Sequence, residues 1–156
     1  MYDVVDGPRR DATLRPNQLY ALGLCAPLVD PDRAERALRA CERELLTPFG
    51  LRTRARGEGY HPRCSGDQRA RDAAYHEGTV WPYLLGAYAD ACARVRGRVP
   101  EGLTEPLLVH LEGEGLGTLP EIFDGDPPHA PRGCPAQAWS VTEILRVELG
   151  RVGEDA

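Results

Sequence analysis

The stretch YHEGTVWP (residues 75–82) is the middle one of three polar and aromatic clusters that recur evenly along the chain. The other two are RPNQ (residues 15–18) and AQAWS (residues 136–140). Arg15 lies 61 residues before His76, and Gln137 lies 61 residues after it. Each cluster opens an apolar segment of helical length. The spacing therefore predicts a repeated helical hairpin whose repeats surround a shared polar pocket.

Apolar periodicity predicts five helices, over about residues 16–24, 30–46, 79–95, 101–114 and from 135 onward. The first, third and fifth are apolar nearly all round, whereas the second and fourth are amphipathic. This alternation is typical of inner and outer helical layers. A closed ring of six such hairpins needs roughly 360 residues at this period. The expected fold is therefore all-α: a partial (α/α)6 barrel of about the last two and a half helical hairpins.

This barrel segment is expected to occupy residues 1–150 as one domain, with residues 151–156 as a tail. The segments 47–78 and 116–133 are expected to be irregular loops. They are rich in glycine, and the first is also rich in arginine.

Composition excludes several classes of partner. The net charge is −5, and all 19 basic residues are arginines interleaved with carboxylates, so no basic face for nucleic acid is expected. No apolar run reaches membrane-spanning length, so no membrane partner is expected. The five cysteines are scattered and lack Cys-x-x-Cys spacing, which favours reduced thiols and a cytoplasmic location. No metal site and no cofactor are predicted.

Glu121 is the candidate catalytic residue. It follows a proline and precedes two apolar residues, so its carboxylate is expected to be partly enclosed beside the polar pocket. Such a carboxylate is suited to take a proton from water as a general base. The alternative is a structural glutamate that caps the nearby helix or pairs with Arg132.

The other candidates suit a sugar ligand. Trp81 and Trp139 offer faces on which a pyranose ring can stack, and His76 and Gln137 can reach its hydroxyl groups. Each tryptophan is equally explained by core packing, and His76 by a satisfied buried histidine. The side chains of the first cluster, Arg15, Asn17 and Gln18, either bind sugar or cap and anchor their helix.

Five ordered motifs carry a resemblance to a known family. RPNQ (15–18), LTPFGLRT (46–53), RDAAYHEGTVWP (71–82), EIFDG (121–125) and PRGCPAQAWS (131–140) resemble successive motifs of the glycogen debranching enzyme C-terminal domain. The resemblance runs from about residue 2 to 148. It implies an (α/α)6 barrel with amylo-α-1,6-glucosidase activity, which inverts the anomeric configuration.

The resemblance also implies the site. Glu121 falls at the general base, and the substrate contacts fall at Arg15, Asn17, Gln18, His76, Gly78, Trp81, Gln137 and Trp139. The general acid would be an aspartate in a Trp-Met-Asp-type motif upstream, which this chain does not contain. Inverting enzymes hold the two carboxyl groups about 6.5–9.5 Å apart. Two departures from the family pattern are Glu77 in place of the usual Gln and Cys64 in place of an aromatic residue.

The sequence thus predicts the C-terminal portion of a debranching α-1,6-glucosidase, inactive by itself. It would act on the α-1,6-linked glucose of glycogen or limit dextrin and need the N-terminal remainder of the barrel. Its apolar flanks are expected to make the isolated chain poorly soluble, or to dock onto that remainder. One alternative is a carbohydrate-binding or interaction fragment without turnover. Another is a different inverting (α/α)6 glycosidase, glucoamylase-like or trehalase-like.

Overall fold

The structure is a computed structural model that describes residues 1–24 and 27–154, the last four by their backbone alone. These residues form six helices: α1 (Asn17–Gly23), α2 (Pro31–Glu44), α3 (Gln68–Ala74), α4 (Leu84–Arg96), α5 (Glu105–Glu112) and α6 (Ala138–Glu154). They also form seven strands: β1 (Val4–Asp6), β2 (Arg9–Asp11), β3 (Leu46–Thr47), β4 (Gly50–Arg52), β5 (Val80–Trp81), β6 (Ile122–Phe123) and β7 (Pro131–Arg132).

The strands overturn the all-α prediction and, with it, the partial (α/α)6 barrel. Strands β1 and β2 pair as a hairpin, and β3 to β7 form an antiparallel sheet in chain order. Leu51 pairs with Trp81, Val80 with Phe123, and Phe123 with Pro131. Each strand has only two or three residues, too short to produce a visible alternation of apolar and polar residues. Strands β4, β6 and β7 lie in segments predicted to be irregular loops, β3 spans the end of the predicted second helix, and β5 lies at the start of the predicted third helix. Helix α3 also lies in a segment predicted to be a loop.

Helix α4 lies at the centre of the core. It packs against α1, α2 and α6, and its side chains from Leu84 to Ala89 are buried. This agrees with its nearly continuous apolar sequence. The helix begins at Leu84 because Val80 and Trp81, expected in its first turn, belong to β5 instead.

Helix α2 begins where its sequence signals place the start. Asp30 accepts a hydrogen bond from the Arg33 backbone N–H at 2.9 Å, and Pro31 occupies the first helical position. Its polar side is fixed to α4, since Arg96 forms ion pairs with Glu35 and Glu42 at 3.0 and 2.6 Å.

Helix α6 is only partly covered, although its sequence predicts a buried inner helix. Ser140, Ile144 and Val147 are buried, but Leu145 and Leu149 are more than half exposed. The helix continues to Glu154, and residues 155 and 156 of the expected tail lie outside the described residues. The proposed boundary at residue 150 stays a prediction.

The described cysteines are free thiols: Cys41, Cys64 and Cys92 are buried, and Cys134 is exposed. Cys25, the fifth cysteine, lies outside the described residues. Within the described part of the chain, no helix combines the length and apolar character needed to cross a bilayer.

Candidate functional site

The half-buried carboxylate of Glu121 is held by three hydrogen-bond donors. The Tyr75 hydroxyl donates to Oε1 at 2.5 Å, and the Gln137 side-chain amide donates to the same oxygen at 3.1 Å. The Cys134 backbone N–H donates to Oε2 at 3.2 Å. Two donors therefore meet Oε1, and one meets Oε2.

The sheet fixes the backbone beneath this carboxylate. Glu121 directly precedes β6, and its N–H donates to the Cys134 carbonyl oxygen at 2.8 Å, just beyond the β6–β7 pairing. Gly133, the residue before Cys134, has a positive φ of 69°. A Cβ atom at Gly133 would overlap the Glu121 carboxylate. The close approach thus requires glycine at this position.

Helix α3 delivers Tyr75 to the site. The helix is capped by the Asp67 carboxylate, which accepts from the Ala70 N–H at 2.9 Å, and Tyr75 follows its last residue. The Tyr75 carbonyl oxygen accepts hydrogen bonds from Thr79 Oγ1 at 2.7 Å and from Trp81 Nε1 at 3.1 Å. Burial, and then the bond to Glu121, raise the pKa of Tyr75 well above its ordinary value. Its hydroxyl is therefore protonated at neutral pH and acts as a donor.

An arc of aromatic rings lies beside the carboxylate, and we call it the aromatic arc: Tyr75, His76, Trp81, Tyr83 and Trp139. His76 stacks on Trp81 with centroids 5.1 Å apart, and Trp139 stacks on Tyr83 at 4.7 Å. Trp81 meets Trp139 edge-on at 5.8 Å. Trp81 is 2% exposed and Trp139 is 45% exposed. Trp81 is therefore a core residue, while Trp139 presents an aromatic surface to solvent.

Arg15 ties the first cluster to the second. Its guanidinium donates to the His76 carbonyl oxygen at 2.7 Å and to both Glu77 carboxylate oxygens at 2.8 Å. Arg54 binds the same carboxylate at 2.7 Å. Partial burial raises the pKa of Glu77, but the hydrogen bonds from the two arginines outweigh it and hold the pKa below its ordinary value. Glu77 is thus ionised and paired.

The remaining predicted residues contact other groups. Asn17 donates to Asp3 Oδ1 at 2.8 Å, and Gln18 donates to the Arg15 carbonyl oxygen at 3.3 Å. Arg15, Asn17 and Gln18 line a cavity of about 170 Å³ together with the N-terminal residues Met1 to Asp3. Gly78 is buried with φ of 141°, and a Cβ atom there would lie 2.7 Å from the Tyr60 ring.

The structure thus brings together Glu121, Gln137, His76, Trp81 and Trp139. The first cluster is joined to them by the hydrogen bond from Arg15 to the His76 carbonyl oxygen. Sequence reasoning assigned no role to Tyr75, although it adjoins His76 in the quoted motif. It also proposed a Glu121–Arg132 pair as an alternative. Arg132 instead binds Asp124, at 3.0 Å.

A second cavity of about 780 Å³ contains none of the predicted site residues. It is lined largely by rings and apolar side chains, among them Phe49, His110, Phe123 and His129. Its carboxylates, Glu105 and Glu114, are exposed. Glu121 is the predicted catalytic carboxylate, and three donors converge on it, so the candidate site is assigned there. Among the residues that the structure describes, no three potential ligands form a metal-binding group.

Comparison with known proteins agrees with this arrangement of motifs. A family model described as amylo-alpha-1,6-glucosidase matches residues 1–146. The glycogen debranching enzyme of Saccharomyces cerevisiae is 26% identical over 164 aligned residues, which cover 88% of this chain and 11% of that enzyme. The chain therefore spans about a tenth of the length of that curated relative.

Proposed function

The chain belongs to the amylo-alpha-1,6-glucosidase family, and from this premise we propose that it supplies the general base of a glycogen debranching glucosidase. Glu121 is the base, and the bond cleaved is an α-1,6 linkage to a glucose branch. The observation that carries the proposal is the carboxylate of Glu121, which is fixed by three donors beside an exposed aromatic surface.

The hydrogen bonds leave Glu121 able to accept one more proton donor. An ionised carboxylate offers about four acceptor positions on its two oxygens. Two on Oε1 are taken by Tyr75 and Gln137, and one on Oε2 is taken by the Cys134 N–H. The remaining position on Oε2 suits a water molecule. A positioned carboxylate bound to water is the arrangement that general-base catalysis needs.

In the proposed reaction, Glu121 takes a proton from this water while the water oxygen bonds to the anomeric carbon. The bond from that carbon to the leaving oxygen breaks on the opposite face. An acid outside this chain gives a proton to the leaving oxygen, so glucose is released with inverted configuration. We propose that this acid and the rest of the glucose pocket belong to a longer enzyme that contains the chain.

The exposed aromatic surface supports a contact with the glucose ring. Trp139 is nearly half exposed, and His76 is also exposed. Both rings contact Trp81, His76 by stacking and Trp139 edge-on. We propose that the apolar face of the sugar rests against Trp139 and that His76 reaches a hydroxyl group. The buried Trp81 packs against both of these rings and holds them in place. Gly78 packs closely against the Tyr60 ring. This favours a structural role for the Gly78 backbone.

Glu121→Gln tests the base assignment in the complete enzyme. A general base contributes about 10²–10⁴-fold to the rate, so glucose release from a branched limit dextrin should fall by that factor. Binding of the dextrin should persist, because the amide keeps the size of the side chain. Asp32→Asn is the matched control, since Asp32 lies on the exposed first turn of α2. Unchanged hydrolysis in the Glu121 variant would remove Glu121 from the mechanism.

A second candidate, a carbohydrate-binding chain without turnover, is favoured by the exposed Trp139 alone. The chain has two tryptophans, and both belong to the aromatic arc. Tryptophan fluorescence of the 156-residue chain during titration with isomaltose therefore reports directly on the site. Binding to the complete enzyme with no glucose release, and no effect of Glu121→Gln, would favour this candidate over the glucosidase.

A further inference from the structure

We infer that Tyr75 is a positioning residue that saturates Oε1 of Glu121 and thereby directs proton transfer to Oε2. This inference rests on the proposed role of Glu121 as the base. Tyr75 itself touches neither the sugar nor the water. It acts through the carboxylate, and for that reason it is not itself a catalytic residue.

The geometry of the two oxygens carries the inference. Oε1 accepts from the Tyr75 hydroxyl at 2.5 Å and from the Gln137 amide at 3.1 Å, so both of its acceptor positions are filled. Among the residues that the structure describes, only the Cys134 N–H donates to Oε2, at 3.2 Å. The open acceptor position therefore lies on Oε2. The short bond from Tyr75 also limits rotation of the carboxylate, which would otherwise exchange the two oxygens.

Tyr75 is itself held at its backbone and at its ring. Its carbonyl oxygen is bound by Trp81 Nε1 and Thr79 Oγ1, and its ring packs edge-on against Trp81 with centroids 4.9 Å apart. Thr79 and Trp81 are almost fully buried. A donor held by buried groups keeps its direction, so the carboxylate is oriented before substrate binds.

The chain contains a matched control for this hydrogen bond. The Tyr88 hydroxyl donates to Glu42 Oε1 at 2.6 Å, between α4 and α2, with neither partner in the proposed site. Tyr75→Phe and Tyr88→Phe each remove one hydroxyl and one tyrosine-to-glutamate hydrogen bond. The two changes therefore remove the same kind of bond, but only Tyr75→Phe removes one from Glu121.

The kinetic test compares the two variants in the complete enzyme with a branched limit dextrin. Tyr75→Phe should lower kcat about 10- to 100-fold with little change in KM, because a hydrogen bond to a charged group is lost from the base. Tyr88→Phe should retain the wild-type kcat. Equal kcat values in the two variants, with Glu121→Gln inactive, would overturn the positioning role and leave the base assignment intact.

A second measurement tests the contact without any activity. The ring carbon resonance of Tyr75 is followed by NMR during an alkaline titration of the 156-residue chain. Glu121→Gln should lower the pKa of Tyr75, since it removes the anionic acceptor but not the burial. An unchanged titration would overturn the inference, even if Tyr75→Phe fails to fold. Absence of hydrolysis by the wild-type enzyme would overturn the proposed function and the positioning role together, while the titration would still report the contact.

Discussion

At the scale of the residue, the contacts of the first cluster (residues 15–18) favour a structural role over sugar binding. The Arg15 side chain is 17% exposed and binds the Thr53 and His76 carbonyl oxygens as well as Glu77. These contacts join the start of α1 to the turn that carries the aromatic arc. Arg15 therefore fixes the position of His76 through the backbone.

Replacing Arg15 should lower the stability of the whole chain. Arg15→Met removes these bonds and leaves two carbonyl oxygens and part of Glu77 unsatisfied, so the free energy of unfolding should fall by about 1–3 kcal/mol. Arg43→Met is the control, because Arg43 is 71% exposed and its ion pair is with its neighbour Glu44. That change should cost less than about 1 kcal/mol. Urea denaturation of both variants measures the difference, and equal losses would contradict the prediction.

Glu77 should make stability depend on pH. Its pKa is lowered in the folded chain, so its contribution is fully present above the unfolded value of about 4.3 and is lost as the pH falls through the folded value. Glutamine keeps the size of this side chain and removes its charge, which gives the test. The difference in unfolding free energy between wild type and Glu77→Gln should be largest near neutral pH. It should shrink in acid, below about pH 4. A difference that stays constant between neutral and acidic urea titrations would contradict this assignment.

At the scale of the element, the turn from α3 into β5 sets the geometry of the site. It places Tyr75 against Glu121, and it places Trp81 in the sheet beside Leu51. Gly78 lies in this turn and donates its N–H to Thr53 Oγ1 at 2.9 Å. The turn can pass beneath Tyr60 only because this position carries no side chain.

Gly78→Ala should therefore destabilise the chain and disturb the aromatic arc. The φ of 141° is strained for alanine, and the new Cβ would lie 2.7 Å from the Tyr60 ring and 3.1 Å from the His61 backbone. We expect the free energy of unfolding to fall by about 1–3 kcal/mol. Gly97→Ala is the control, because its φ is 74° and nothing lies near its Cβ position. Thermal denaturation compares the Tm of the two variants, which should be lower for Gly78→Ala. Tryptophan fluorescence should change in the Gly78 variant alone.

At the scale of the whole molecule, α6 leaves an apolar surface uncovered. Trp139, Leu145 and Leu149 are 45%, 54% and 62% exposed, and the two leucines lie one helical turn apart on the same side of the helix. Clustered exposed apolar side chains of this kind mark interaction surfaces or promote aggregation. The sequence predicted such apolar flanks, and the exposures along α6 are consistent with them.

The isolated chain should associate with itself through α6. Its average mass in sedimentation velocity should rise with protein concentration, and Leu145→Gln combined with Leu149→Gln should reduce that rise. Leu116→Gln is the control, because Leu116 is 91% exposed but lies in the loop between α5 and β6 and not on α6. A single monomeric species at every concentration would contradict the expectation.

Local sequence was enough to predict α1, α2 and the family. Asp30 and Pro31 mark the start of α2, and each signal acts within one helical turn. The ordered motifs indicated the family, and the match over residues 1–146 confirms it. The motifs also singled out Glu121, His76, Trp81, Gln137 and Trp139, which the structure brings together. Their roles in binding and catalysis stay predictions.

Only the tertiary structure decided the sheet and the contacts of Glu121. Strands of two or three residues carry no periodicity of their own, and they exist because backbone groups far apart in the chain pair with one another. The Tyr75–Glu121 bond likewise joins residues 46 positions apart. Such a bond depends on where the sheet places each backbone. The sequence supplied the chemical groups of the site, and the antiparallel pairing of β5, β6 and β7 determined which of them meet.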